Sequence, residues 1–180
     1  MVETERININ AECNDEGDTL LHIAAREGDV AIIRFLIAHG ADVNERNVYC
    51  NTPLHIARNV AVIKLLISNG ADVNGMGYEG LTVLHRAVCK NDSPSIKFLI
   101  SLGVDVDVED EYGNTPLHLA RNIEIVKLLV SHGADVNEKD ENGYLPFERA
   151  VLNDDVPVAQ YLFNMNTRFL LSRIRDGMRD

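Results

Sequence analysis

The stretch NTPLHIARNVAVIKLL, Asn51 to Leu66, returns as NTPLHLARNIEIVKLL, Asn114 to Leu129. A chain that repeats itself at a fixed interval builds its core from stacked copies, so this feature constrains the fold before any other. Aligned on the histidine, five copies appear: GDTLLHIAA at His22, CNTPLHIAR at His55, GLTVLHRAV at His85, GNTPLHLAR at His118, and GYLPFERAV with Glu148 in the histidine slot. The intervals are 33, 30, 33 and 30 residues. The first four copies each close on a second phrase: HGADVNE, NGADVNG, LGVDVDV and HGADVNE.

Each copy reads as two short helices. In the first, Thr19 precedes a helix carrying Leu21, Ala24 and Ala25, and Ile32, Ile33, Leu36 and Ile37 follow at helical spacing. The second helices open on Asp29, Asn59, Asp92, Asn122 and Asp155, all residues suited to an N-cap. Gly40, Gly70, Gly103 and Gly133 stand where a left-handed residue ends them, with Asn166 in that role in the fifth copy. The 30-residue copies lack three residues between their helices. That is about one turn, which keeps the apolar faces in phase and predicts shorter first helices or tighter turns in the second and fourth copies.

These phrases resemble the ankyrin repeat family, whose signature T-P-L-H-x-A…G-A-D-V-N recurs at a period near 33 residues. The resemblance implies an all-α dominated repeat solenoid: helix-turn-helix units stacked side by side, each with a β-hairpin finger. The expected organisation is a partial finger or cap at 1–13 and a repeat domain at 14–166. The repeats divide as 14–46, 47–76, 77–109, 110–139 and 140–166, and a capping helix follows at 167–180. In the family the motif histidine braces backbone groups of neighbouring turns, which assigns His22, His55, His85 and His118 a structural role.

Chemistry finds little support. Four histidines in one slot of successive repeats sit about 10 Å apart, the packing distance of helices, which is too far to share a metal with ligands near 2 Å. There is no Walker loop, no G-x-S-x-G and no H-E-x-x-H. The alternating carboxylates of VDVDVEDE lack the order of a calcium loop. No enzyme activity, metal or cofactor is expected. The chain carries three cysteines, Cys13, Cys50 and Cys89, with no C-x-x-C pair, which suits a reducing compartment. Cys50 occupies the turn slot held elsewhere by Gly17, Gly80, Gly113 and Gly143, so a strained backbone is expected there. The N-terminus has no apolar signal core and no run approaches a membrane span. The expected location is therefore the cytoplasm, or a host cytoplasm reached without such a signal.

The formal charge of −11 disfavours nucleic acid and anionic membranes as partners. A protein partner remains, and the resemblance places its contacts on finger tips and the inner helices. Carried over, those positions are Asp15, Glu16, Asp18 and Arg46 in the first repeat, and Tyr49, Asn51 and Arg58 in the second. Tyr78, Glu79, Leu81, Cys89 and Glu109 follow in the third, Glu111, Tyr112, Asn114 and Arg121 in the fourth, and Glu141 and Tyr144 in the fifth. Four of the five tyrosines fall in the fingers among carboxylates, either as interface anchors or as staples on the next finger. The expected function is a non-catalytic interaction scaffold, monomeric alone, taking a basic or amphipathic protein surface. A microbial or viral effector acting on a host protein through the same surface is one alternative. The other is a substrate of an asparaginyl hydroxylase, since Asn44, Asn74 and Asn137 match the D-V-N phrase that the family resemblance associates with that modification.

Overall fold

The computed structural model describes the backbone of residues 8–177 and the side chains of residues 8–167. Ten α-helices follow one another among these residues: α1 (Leu20–Glu27), α2 (Val30–Ala38), α3 (Pro53–Ile56), α4 (Val60–Ser68), α5 (Val83–Cys89), α6 (Ser93–Ser101), α7 (Pro116–Leu119), α8 (Ile123–Ser131), α9 (Pro146–Leu152) and α10 (Val156–Gly177). They form two compact units, one up to Tyr78 and one from Glu79 onward. In the first, α1 packs on α2 and α3, and α4 on α2 and α3. In the second, α5 packs on α6 and α7, α7 on α8 and α9, and α10 on α8 and α9.

The core follows the apolar stripes. Leu21, Ile33, Leu36, Leu54, Val62 and Leu66 are buried in the first unit, and Ile96, Leu99, Leu117, Val126, Leu129 and Leu162 in the second. Each such side chain contributes about 2 kcal/mol by leaving water. Caps fix where the helices begin. Asp29 Oδ1 accepts the N–H groups of Ala31 and Ile32, Asn59 Oδ1 those of Ala61 and Val62, Asp92 Oδ1 that of Ser95, and Asn122 Oδ1 that of Glu124. Gly40, Gly70, Gly103 and Gly133 take φ between 78° and 101°, the left-handed state that lets the chain leave the helix.

The three-residue deletion acts as the spacing predicts. The first helices of the long copies, α1, α5 and α9, have 8, 7 and 7 residues, whereas α3 and α7 have 4 each. In the long copies a left-handed residue joins the helices: Gly28, Asn91 or Asp154. In the short copies that residue is gone and Ala57 and Ala120 are extended instead. The Arg58 N–H then reaches back to the carbonyl of Ala25, 3.0 Å away.

One expectation is met only in outline and one differs from what is found. Among the described residues β-pairing is confined to one bridge, Glu12 to Thr19, and the fingers are turns closed by backbone bonds such as Asn47 N–H to the Asn51 carbonyl. Their other N–H groups go to side chains and to the neighbouring finger, as described below. The expected break at Asn166 is absent, because α10 runs unbroken from Val156 to Gly177. Asn166 is buried and its Nδ2 donates to Asn137 Oδ1 at 2.9 Å, so its amide braces the preceding phrase rather than ending a helix.

Candidate binding surface

Four of the five fingers are shaped by their first residue; the third starts at Gly77. Asn14 Oδ1 accepts the N–H groups of Glu16 and Asp18, and Asn47 Oδ1 those of Tyr49 and Asn51. Asp110 Oδ1 accepts from Tyr112 and Asn114, and Asp140 Oδ1 from Asn142 and Tyr144. One short acceptor thus satisfies two donors and folds the turn, as Asn and Asp do best. The residue before the motif threonine slot's neighbour then takes a left-handed φ: Gly17, Cys50, Gly80, Gly113 and Gly143. Cys50 does so at φ 59° despite its Cβ.

Behind the fingers stand the histidines. Nδ1 accepts the N–H of Thr19, Thr52, Thr82 or Thr115 at 3.1–3.2 Å. A backbone N–H only donates, so Nδ1 is bare and the proton sits on Nε2. That Nε2–H donates forward to the carbonyl of Asn51, Gly75, Asn114 or Tyr144 at 2.9–3.1 Å. Burial holds His22, His85 and His118 below their ordinary pKa, against the pull of these carbonyls, so they stay neutral. Both nitrogens are engaged, which leaves no lone pair for a metal or a substrate proton. In the fifth repeat Glu148 Oε2 accepts the Leu145 N–H at 2.8 Å and keeps the inner half of the brace.

The surface this scaffold presents differs in part from the sequence map. Asp15, Glu16, Glu109, Glu111 and Glu141 are exposed, and Glu79 and Leu81 are half-buried. Tyr49, Tyr78, Tyr112 and Tyr144 are 40–47% exposed. The rings of Tyr49 and Tyr78 meet edge to face at 5.7 Å, and the Arg149 guanidinium lies 5.2 Å from the Tyr144 ring. Three mapped residues are not surface at all. Asp18 is buried and accepts from Asn47 Nδ2, Asn14 Nδ2 and Arg26. Burial pushes its carboxyl up, but these donors outweigh that and leave it below the ordinary carboxylate value. Asn51 and Asn114 are buried too, and lend their carbonyls to His22 and His85. Arg46 is exposed, yet its Nη1 donates to the carbonyls of Met76 and Cys50 at 3.0 and 3.4 Å, tying two turns.

Sequence reasoning missed a hollow in the second unit. It has a volume of about 420 Å³ and is lined by Val88, Cys89, Asn114, His118, Leu119, Arg121, Arg149 and Asn153. Arg121 and Cys89 were on the map, but Arg149 and Asn153 were not. The available signal was the deletion itself, since shortening α7 exposes the walls of the helices beside it. Among the described residues no group of three or more His, Cys, Asp and Glu side chains is placed to hold a metal. Within the same residues no helix is long and apolar enough to cross a membrane.

Paired helices in register, a Thr–His brace in four copies and a capped, glycine-ended second helix define a helix-pair repeat protein. The family model described as ankyrin repeats matches in three copies, over residues 2–77, 61–140 and 84–171. The chain belongs to the ankyrin repeat family, and its fold is an all-α repeat fold. Among curated relatives, it is 43% identical over 98 residues to a putative ankyrin repeat protein of fowlpox virus, covering 54% of this chain and 23% of the relative. It is 38% identical over 131 residues to ankyrin repeat and SOCS box protein 3 of Bos taurus, covering 66% and 25%. To a transient receptor potential channel subfamily A member 1 homologue of Caenorhabditis elegans it is 32% identical over 111 residues, covering 59% and 9%. The chain thus spans a quarter or less of the length of these relatives.

Proposed function

We propose that this chain is a non-catalytic module that holds a partner protein through its finger tips. Ankyrin repeats generally mediate protein–protein interaction. The observation that carries the finer reading is the set of four part-exposed tyrosines, two in each unit, on finger turns that also carry exposed carboxylates and are held by hydrogen bonds of their own. Tyrosine offers large contact area for little rotamer loss, and the carboxylates favour a basic or amphipathic surface. The Tyr49–Tyr78 contact gives part of that area the staple role, and the outer ring faces remain for a partner. Free, exposed Cys13, Cys50 and Cys89 suit action in a reducing cytoplasm, with the chain monomeric until it meets its partner.

The similarity to a fowlpox virus protein favours a second form of the same reading, in which the partner belongs to a host. The reading as a hydroxylase substrate has less behind it, because both ends of the Asn44 amide are engaged, with Gly70 and Asp72.

The test is capture of partners by the native chain beside a Tyr49→Ala/Tyr78→Ala/Tyr112→Ala variant of equal stability. Partners specific to the native chain should be lost with the triple change. If every partner survives it, the finger reading is wrong.

A further inference from the structure

In the second unit the four-residue helix α7 lies between α5 and α9, each nearly twice its length. The missing turn leaves the 420 Å³ hollow. That volume is at the lower end of ligand pockets, which run from about 300 to about 1,000 Å³. Its wall is amphipathic: Val88 and Leu119 supply apolar surface, and Arg121, Arg149 and Asn153 supply polar atoms.

The charges decide what fits. Arg149 is already neutralised, because its Nε donates to the buried Asp140 carboxylate and its guanidinium lies over Tyr144. Arg121 is exposed, and its Nη2 donates to the neutral Asn153 Oδ1 at a long 3.4 Å. Among the described residues no carboxylate oxygen comes within ion-pair reach of it. The carboxylate of Asp110, on the neighbouring finger, keeps its charge but makes no ion pair with Arg121, its oxygens accepting from Asn114 Nδ2 and the N–H groups of Tyr112 and Asn114. His118 is neutral and both its nitrogens are engaged. An otherwise acidic chain thus places at the mouth of an amphipathic hollow a guanidinium that no carboxylate pairs with among the described residues.

We infer that this hollow receives an acidic side chain, glutamate or aspartate, from an extended segment of a partner protein. A guanidinium fork matches a carboxylate with two parallel hydrogen bonds, while the apolar wall takes the flanking methylenes. A phosphate group calls for a cluster of such cations, and of the two guanidiniums that line this hollow Arg149 is already ion-paired, which leaves Arg121. Cys89 on the rim reports occupancy; burial holds its thiol up, against the neighbouring Arg86 and Arg121. The inference rests on the reading as a protein-binding module but uses none of the finger tyrosines.

The probe is the capped peptide acetyl-Ala-Leu-Glu-Leu-Ala-amide, titrated into the full ¹⁵N-labelled chain beside its glutamine counterpart. Shifts should saturate at Arg121 Nε and at the Leu119 and Asn153 amides, with the glutamine peptide about tenfold weaker. Arg121→Gln, at an exposed position, should keep the thermal midpoint and weaken the glutamate peptide by about the same factor. Maleimide labelling of Cys89 should slow on saturation while Cys13 and Cys50 react as before. The inference is overturned if the glutamine peptide binds equally well, if Arg121→Gln changes nothing, or if no shift appears at these groups up to about 10 mM peptide. Partner capture that remains sensitive to the tyrosine triple change would then stand on its own, so the two readings fail separately.

Discussion

Asn51 Oδ1 accepts the backbone N–H of Tyr78 at 3.1 Å. At the other resolved finger junctions within each unit the equivalent N–H goes to a backbone carbonyl: Val48 to Glu16, Glu111 to Glu79 and Glu141 to Tyr112, at 3.0–3.1 Å. Cys50 explains the exception. At the glycines in its slot, an added Cβ would meet the next finger's backbone nitrogen at 2.6 Å for Gly80 and 2.8 Å for Gly113. A residue with a side chain forbids that approach, so the N–H turns to Asn51. That in turn requires Gly77, where a Cβ would lie 2.5 Å from Asn51 Oδ1 and 2.8 Å from His55 Cδ2. Gly77→Ala should therefore destabilise by about 2 kcal/mol through overpacking, and Cys50→Gly should stabilise by about 1 kcal/mol by releasing the left-handed strain. Urea unfolding midpoints decide both, and equal midpoints for Gly77→Ala and the parent would sink this account.

The histidine braces should make stability depend on pH. Burial lowers the folded pKa of His22, His85 and His118 below the ordinary 6.5, so the unfolded chain binds protons first. Their contribution is complete above 6.5 and is lost as pH falls through the lowered values. Protonation also places a proton on the Nδ1 that must accept the threonine N–H. Asp18 and Asp140 are likewise lowered, against the opposing effect of burial, by hydrogen bonds that include Arg26 and Arg149. Their contribution is present above 3.8 and fades below it. Unfolding free energy should decline in two stages on acidification, the first beginning below 6.5. A flat profile between about pH 7.5 and about pH 5 would exclude the first stage.

The third closing phrase carries a correctable flaw. Asn44 Nδ2 donates to the Gly70 carbonyl while its Oδ1 accepts the Asp72 N–H, and Asn10 does the same with Gly40 and Asp42. Asp107 accepts the Asp135 N–H at 3.0 Å but has no amide to donate. Burial, with Asp105 and Asp135 beside it, raises its pKa above 3.8 despite that N–H. A raised carboxyl favours the fold only at low pH, and its help is lost as pH rises through the folded value. Asp107→Asn should thus stabilise the chain near neutrality by about 1 kcal/mol, and the gain should shrink in acid. Thermal midpoints at the two pH values test it.

The repeat, the helix lengths and the caps were legible because each is local. A Pro at the start, an Asn or Asp before the second helix and a deletion of one turn act within a few residues of where they stand. The finger chemistry was less legible. Asp18, Asn51 and Asn114 occupy slots that the family resemblance places on the binding side, and only the packed turns show that they face inward to Asn47, His22 and His85. Asn166 looked like a helix end because glycine ends the other copies, yet its partner, Asn137, lies 29 residues earlier. The hollow depends on side chains from three helices at once, and no single stretch announces it.

Neighbouring finger residues should consequently give opposite outcomes. Tyr112 is 47% exposed and Asn114 is 8% exposed, two residues apart on one turn. Tyr112→Ala removes a ring that is about half exposed, so it should cost less stability than Asn114→Ala while partner capture falls. Asn114→Ala removes the Nδ2 that donates to the Asp110 carboxylate at 3.0–3.1 Å, and should cost about 1–2 kcal/mol. Asn51→Ala, which strands the Tyr78 N–H, should cost about the same. Urea unfolding and partner capture on all three variants separate scaffold from surface. A Tyr112→Ala chain that unfolds as early as Asn114→Ala would show the ring to be a staple, and would move the site off this finger.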